Sequence, residues 1–438
     1  MTALDLSHPL VVGFGVTGQA VTRALINRGV TPVVIDDNPN TTIATFNPPI
    51  TMIEAPSLGE LTRQIEHASV LLPSPGIPAR HPMFDLAIRT ATPVRSEFDL
   101  AALWDDRPLV GITGTNGKTT VTMVVTDALN RSGIKAAAVG NTPVPLVQAI
   151  DNVETQVFVV EASSFRLAHS DHFAPKVATW LNFSPDHLDA HPTLDAYEMA
   201  KADLWGSLPD GAVAIANAED EVVMRHLPSA VEVQTFGLGI GDWRIDDGYV
   251  VGPDGPIVPV GALPRRQPHD LANATAIAAT ASAAGAPSTS IADALTAFQG
   301  LPHRVQFVGE WEGVRWFNDS KATVPHATLA ATGGFPSVVL IAGGRNKGLD
   351  LSPLIEAIPP VKAIVAIGDA SDEVAGVVAG RVPLVKANNM TDAVAEADRL
   401  ATAGDTVLLS PACTSFDWYA SYRERGDDFI RIVTARFS

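Results

Sequence analysis

The sequence predicts an α/β protein made of three consecutive domains, each built on a largely parallel sheet. Two observations carry this. Short apolar, β-branched runs alternate with stretches of helical spacing from one end of the 438 residues to the other. Most of these runs stop at glycines, acids or small polar residues, as strands do where a parallel sheet presents its carboxyl ends to a ligand. The length agrees, since at roughly 100–200 residues per domain it makes two to four domains. With 46% hydrophobic residues there is material for several cores.

Taken in order, PLVVGFG (9–15) reads as a strand ending at glycines, and TGQAVTRALINRG as the helix after it. TPVVIDDN is the next strand, ending in acids, and ASVLLPSPGIP a third, ending in a Ser-Pro-Gly turn. The acidic connector SEFDLAALWDDRP (96–108) resets the pattern. LVGITGTNGKTTVTMVVTDALNRSG then opens a second strand–loop–helix series, continued by the strands TQVFVVE and KVATW and an alanine-rich helix at DLANATAIAATASAAGAP. After FQGLPHRVQ the rhythm starts again, with strands at VRWFNDSKAT, SVVLIAGGRNKG, AIVAIGDA and TVLLSPACTSFDWY. The expected boundaries are residues 1–96, 97–300 and 301–438.

Composition narrows the function classes. A net charge of −18 argues against a non-specific nucleic-acid binder, which needs a basic face. A polyanionic ligand must therefore be held by local cations or metal ions. The one cysteine, Cys413, leaves no intrachain disulfide and no cysteine-based zinc cluster. The amino terminus has no basic n-region, and no apolar run reaches the ~18 residues of a membrane span. The expectation is a cytoplasmic protein.

The stretch GITGTNGKTTVTMVV (111–125) is a glycine-rich loop between a strand and a helix, shorter than the usual G-x-x-x-x-G-K-[ST]. Backbone N–H groups of such a turn and the following helix N-terminus cradle phosphates. Gly114, Thr115, Asn116, Gly117, Lys118, Thr119 and Thr120 are thus candidates for a nucleoside triphosphate, with Lys118 on the β/γ-phosphates and the Thr119 hydroxyl on Mg²⁺; the alternative is a structural turn. Glu161, closing a neighbouring strand, is either the Mg²⁺ partner or a solvated strand-end acid. His187 lies between Asp186 and Asp189, a set that can hold a divalent ion, although a turn histidine is commonly structural. Lys201 reads as a surface lysine; it could serve a metal only as the carbamate formed with CO₂. Gly13, Gly15 and Gly18 form G-x-G-x-x-G after a strand and before a helix, and Asp36 ends the next strand. This describes a diphosphate at a helix N-terminus and an acid near a ribose, which a nicotinamide or flavin dinucleotide and a UDP-linked substrate satisfy equally. In the tail, His303, Arg304, Lys321, Arg345, Lys347 and Arg425 stand near strand ends, where cations suit phosphate and carboxylate groups.

Together, TGTNGKTT, EASSF, DHLD, a Tyr-x-x-x-Lys, GLPHR, NDSKAT and SPACTSFD resemble the Mur ligase superfamily, from Gly13 to Gly426. The shortened loop is that superfamily's form. The resemblance implies an ATP-dependent amide ligase that adds D-glutamate to UDP-N-acetylmuramoyl-L-alanine through an acyl phosphate, in peptidoglycan precursor synthesis. It implies a Rossmann-like first domain holding the UDP part through Val16, Thr17, Asp36, Ser74, Pro75 and Gly76, with Asn141 also on that substrate. It implies a central P-loop-type ATPase with Lys118 on the phosphates, Thr119 and Glu161 on one Mg²⁺, and His187 and a carbamylated Lys201 on a second. Asn273, His269, His303, Arg304 and Asp319 match the nucleotide side. Lys321, Thr323, Lys347, Ser415 and Phe416 match D-glutamate and phosphate contacts in a Rossmann-like third domain. The implied catalytic set is Lys118, His187, Lys201 and Lys321, in a monomer with no nucleic-acid partner. Four positions depart from the family pattern: Asp270 stands where Asn is frequent, Asn38 where an arginine can hold uracil, Tyr422 for a phenylalanine, and Val324 for an Asn. The rivals are a sister ligase for another amino acid, a nicotinamide-dependent oxidoreductase and a non-catalytic nucleotide-binding module.

Overall fold

The computed structural model of the chain describes residues 4–37, 46, 49–186 and 191–437. They fall into two units that meet in sequence at Phe298 and Gln299.

The first unit opens with β1 (Pro9–Val12), α1 (Val16–Asn27), β2 (Val33–Asp36), β3 (Thr51–Glu54), α2 (Leu58–His67), β4 (Val70–Pro73), α3 (Pro82–Thr90) and α4 (Glu97–Trp104). The four strands form a parallel sheet in the order β3-β2-β1-β4. β1 is buried throughout, as expected of a central parallel strand with helices on both faces.

The same unit continues with β5 (Leu109–Thr113), α5 (Lys118–Arg131), β6 (Ala136–Gly140), α6 (Leu146–Ala149), β7 (Val157–Glu161), α7 (Ser164–Leu167), β8 (Val177–Trp180) and α8 (Leu194–Ala202). β9 (Val213–Asn217), α9 (Glu221–Arg225) and β10 (Glu232–Phe236) complete a six-stranded parallel sheet in the order β10-β9-β8-β5-β7-β6. Three short antiparallel strands follow, β11 (Arg244–Asp246), β12 (Tyr249–Gly252) and β13 (Gly255–Pro259). α10 (Pro268–Ala283) and α11 (Ser288–Ala297) then pack on α5, burying Ala276, Ala278 and Ala279 with Val121, Val125 and Leu129. The small side chains of α10 allow that close approach.

The second unit holds β14 (Gln306–Trp311), β15 (Val314–Asn318), α12 (Pro325–Thr332), β16 (Val338–Gly343), β17 (Val361–Ile367), α13 (Ser371–Val378), β18 (Leu384–Ala387), α14 (Met390–Leu400), β19 (Thr406–Ala412) and α15 (Tyr422–Phe437). Its sheet order is β14-β15-β19-β16-β17-β18, parallel except for β14. β16 and β19 are buried along their whole length. Cys413, immediately after β19, is 1% exposed, and burial pushes its thiol up to about 12.

The fold is the α/β class expected, with mainly parallel sheets, but the sequence reading passed over nine strands, among them β6, β9 and β10 of the six-stranded sheet. β3 and β18 are four-residue edge strands, and β14 is a half-exposed antiparallel edge; none carries an uninterrupted apolar run. β11 to β13 are three to five residues long and mostly partly exposed. Among the described residues, no helix is long and apolar enough to cross a membrane.

One charge in the second unit gives a pH test. Burial opposes ionisation of Asp405, yet hydrogen bonds from Lys362, Ser337 and Thr402 outweigh it and hold the carboxyl down at about 2. A folded-state value below the unfolded one contributes stability above pH ~4 that is lost as pH falls through about 2. Asp405→Asn should therefore cost about 2 kcal/mol at pH 7. Urea titrations should show the gap from the parent chain closing between pH 4 and pH 2.

Candidate functional site

The loop between β5 and α5 lies between the ends of β7 and β8, because β5 pairs with both. Asn182, just beyond β8, pins it: its Oδ1 accepts the N–H groups of Thr115 and Asn116 at 3.1 and 2.9 Å. Gly117 has φ +84°, and a Cβ there would lie 2.5 Å from Asn273 Oδ1, so the position requires glycine and sets Asn273 against the loop. Lys118 is the first residue of α5, and its Nζ donates to the carbonyls of Gly114 at 2.7 Å and Thr115 at 2.9 Å. Thr119 and Thr120 follow in the first helical turn.

Lys201 is not the surface lysine that its residue type suggests. It is 1% exposed on α8, lies 4.5 Å from the Tyr197 ring, and donates to the same Gly114 carbonyl, at 2.7 Å. Burial first, and the Lys118 charge second, lower its pKa well below the lysine range, with Asp186 pulling the other way. Glu161, 3% exposed, ends β7; its Oε1 accepts from Asn141 Nδ2 at 3.0 Å, while Oε2 has no hydrogen-bond partner among the described residues. A buried carboxylate oxygen left bare is costly, and a bound cation is its ordinary remedy. Glu161, the helix-opening Thr119 and an oxygen-bearing form of Lys201 would suit a hard divalent ion, which takes oxygen donors. His187 lies outside the described residues.

The uridine-nucleotide candidates Val16, Thr17, Asp36, Ser74, Gly76 and Asn141 line one cavity of about 550 Å³ at the carboxyl ends of β1, β2 and β4. Its floor is the G-x-G-x-x-G turn. A Cβ on Gly18 would fall 1.9 Å from the Gly13 carbonyl oxygen, and the Ser74 hydroxyl donates to that same oxygen at 2.8 Å. Gly18→Ala should push α1 off the turn, lower stability by about 1–3 kcal/mol and weaken UDP binding at least tenfold by calorimetry. Asp36 faces the cavity, but one of its oxygens is taken by the Phe14 N–H at 2.5 Å. Asn38 lies outside the described residues.

On the adenine-side candidates, the Asp270 departure is absorbed locally. Its carboxylate pairs with Arg265 at 3.0 Å and caps α10 together with Gln267. Burial lowers the pKa of the adjacent His269.

In the second unit, β15, β19 and β16 are adjacent, so the loops after them gather at one sheet end. They bring Asp319, Lys321 and Thr323 to the same side as Ser415, Phe416 and Lys347, and Arg345 bridges to Thr414. Asp319 accepts from Ser410 Oγ at 2.7 Å and the Val305 N–H at 3.1 Å, which fixes the turn that carries Arg304. Lys321 Nζ lies 4.3 Å from the Tyr422 ring, so the tyrosine keeps an aromatic face under that cation. Lys347 Nζ lies 5.1 Å from the half-exposed Phe416 ring. Arg425 is buried structural scaffolding, donating to Ser320, Thr414 and Cys413.

Sequence reasoning passed over one group. Arg166, on α7, is 4% exposed and bonds Glu97 (Nε to Oε1, 3.0 Å), Asn141 Oδ1 (3.1 Å) and Thr17 Oγ1 (3.2 Å). Burial raises the Glu97 pKa and lowers that of Arg166, against the attraction between them. The partners are far apart in sequence, so no local spacing marks the pair.

Comparison with known proteins matches three stretches of the chain in turn. Residues 7–96 match the N-terminal domain of MurD-like Mur ligases, 112–250 the Mur ligase middle domain, and 303–413 the Mur ligase glutamate ligase domain. The chain is 39% identical to the UDP-N-acetylmuramoylalanine–D-glutamate ligase of Frankia casuarinae, over 98% of this chain and 94% of that one. It is 35% identical to the Nitrosococcus oceani protein of the same name, over 97% and 96%. In fold it is similar to the UDP-N-acetylmuramate–alanine ligase MurC of Thermotoga maritima (TM-score 0.60, 16% identity, 98% and 99% covered). It is similar also to MurF of the same organism, solved with ADP (TM-score 0.59, 16% identity, both chains covered fully). The chain therefore belongs to the Mur ligase family, in its UDP-N-acetylmuramoylalanine–D-glutamate ligase branch.

Proposed function

We propose that this chain joins D-glutamate to UDP-N-acetylmuramoyl-L-alanine at the cost of ATP, in the cytoplasm, as a step of peptidoglycan precursor synthesis. The observation that carries the reading is the convergence of Lys118 and Lys201 on the Gly114 carbonyl beside the half-satisfied Glu161, in a chain alignable end to end with ligases of that name. We assign the nucleotide sugar to residues 1–96, ATP to 97–300 and D-glutamate to 301–438.

A carboxylate is a poor electrophile in water, so it must be activated. The alanyl carboxylate attacks the γ-phosphorus of ATP, a P–O bond to ADP breaks, and an acyl phosphate forms. The D-glutamate amine then attacks the acyl carbon; the tetrahedral intermediate expels phosphate and the nitrogen loses a proton. The first step brings two anions together, and oriented positive charge lowers that barrier. Lys118 and the N–H groups of residues 117–119 hold the phosphates. Lys201, desolvated and beside a second cation, is biased toward its neutral amine, the form that adds CO₂. Its nitrogen forms the N–C bond, a proton leaves, and the buried cation becomes an oxygen-bearing anion. Magnesium bound by Thr119, Glu161, His187 and that carbamate would supply further charge neutralisation. Asn141 and Thr17 orient the nucleotide sugar, and Lys321, Thr323, Lys347, Ser415 and Phe416 receive D-glutamate.

The test is phosphate release with UDP-N-acetylmuramoyl-L-alanine, ATP and magnesium. Release should be sustained with D-glutamate and fall at least tenfold when it is omitted or replaced by L-glutamate. Equal turnover with L-glutamate, or with another amino acid in its place, would overturn the assignment.

A further inference from the structure

The Arg166 guanidinium touches both halves of the chemistry assigned to the first unit. Toward the nucleotide-sugar cavity it donates to Thr17, in the first turn of α1. Toward the phosphate loop it donates to Asn141 Oδ1, and Asn141 Nδ2 in turn donates to Glu161 Oε1. A carboxamide has one accepting and one donating end. With its oxygen committed to Arg166, its nitrogen must face Glu161. That engages one Glu161 oxygen and leaves Oε2 bare. Glu97 holds the guanidinium in place: one oxygen takes Arg166 Nε, and the other takes the Val147 N–H at 2.8 Å, at the start of α6. A buried ion pair is rarely the cheapest way to fill such a volume, since apolar side chains would serve stability as well. Its three-way geometry is what an apolar replacement could not supply.

We propose that Arg166, clamped by Glu97, is a positioning residue that couples occupancy of the nucleotide-sugar cavity to the metal-binding readiness of Glu161. The coupling runs through Thr17 and Asn141. It rests on the functional reading above, because it needs a uridine nucleotide at one end and Mg²⁺ with ADP at the other. A nucleotide sugar that contacts Thr17 and Asn141 locks these bonds in the arrangement seen here, and with them the orientation of the bare, buried oxygen of Glu161. Mg²⁺·ATP and the nucleotide sugar then each bind more tightly when the other is in place. Linkage makes the effect reciprocal.

The test is calorimetric. The affinity of the wild-type chain for Mg²⁺·ADP is measured with and without saturating UDP-N-acetylmuramoyl-L-alanine, and the reverse titration is made as a check. The expected coupling is roughly tenfold in both directions. Arg166→Lys keeps the charge against Glu97, but one ammonium cannot reach three acceptors in the fork geometry. The double variant Glu97→Gln/Arg166→Met removes both charges at similar volume and guards against loss of folding through an unpaired buried carboxylate. In both variants the coupling should fall below about twofold, whatever happens to each affinity alone, and Mg²⁺-free ADP binding should show no coupling in any protein. A wild type that binds both ligands without coupling, or variants that keep the full factor, would overturn the relay alone. A wild type that binds no UDP-N-acetylmuramoyl-L-alanine would overturn the functional reading and the relay together.

Discussion

Lys118→Ala should reduce acyl-phosphate formation by at least about a thousandfold, the scale on which loss of one oriented charge in phosphoryl transfer is felt. The measurement is ADP formation in a single turnover with the nucleotide sugar present and D-glutamate absent. Binding of that sugar nucleotide should change little, because Lys118 lies on the loop after β5 and not among the residues lining the nucleotide-sugar cavity. Phosphoryl transfer at the parental rate would defeat the assignment of the loop. The substitution carries a second effect of known sign. The Lys118 charge helps to depress the Lys201 pKa, so its removal lets that pKa rise and thins the neutral amine at a given pH. Carbamate on Lys201, read by ¹³C nuclear magnetic resonance with labelled bicarbonate, should therefore need a more alkaline buffer in Lys118→Ala than in the parent.

Lys201→Ala should lose nearly as much activity, and it should be partly rescued by a short carboxylic acid such as acetate at high millimolar concentration. The side chain is almost fully enclosed, so its truncation leaves a hole beside Tyr197 and Gly114 that a small carboxylate can enter. Rescue should be absent with a primary amine of the same size, since the role assigned is that of an oxygen ligand and not of a cation. Normal turnover by Lys201→Ala without any additive would remove the metal-ligand role. Recovery with the amine alone would assign Lys201 as an ammonium acting on phosphate. For the parent chain, removing dissolved CO₂ should lower activity, with recovery on adding bicarbonate.

What could be read from the sequence depended on how local the signal was. The phosphate loop was legible because its glycines and Lys118 do their work within one turn, between a strand and a helix that both announce themselves. The strand-end placement of Glu161, Lys321 and Lys347 was legible for the same reason. The burial of Lys201 was not, since a helical lysine carries no mark of what packs above it, and only the resemblance to the family pointed inward. Glu97 and Arg166 were invisible as a pair: they sit on separate elements and meet only once α4 and α7 are in place. Edge strands such as β3 and β18 were missed because partial exposure erases the apolar run that betrays a central strand.

The solitary thiol at position 413 has a practical corollary. Thiol reagents attack the anion, and here that anion is both scarce at neutral pH and walled in. A maleimide added to the native chain can react only during moments when the strand end beside it unzips. Labelling kinetics followed by intact-mass spectrometry would thus time the breathing of this carboxy-terminal sheet with no engineered probe. A slower clock in the presence of D-glutamate would report that the amino acid binds the chain and tightens this sheet.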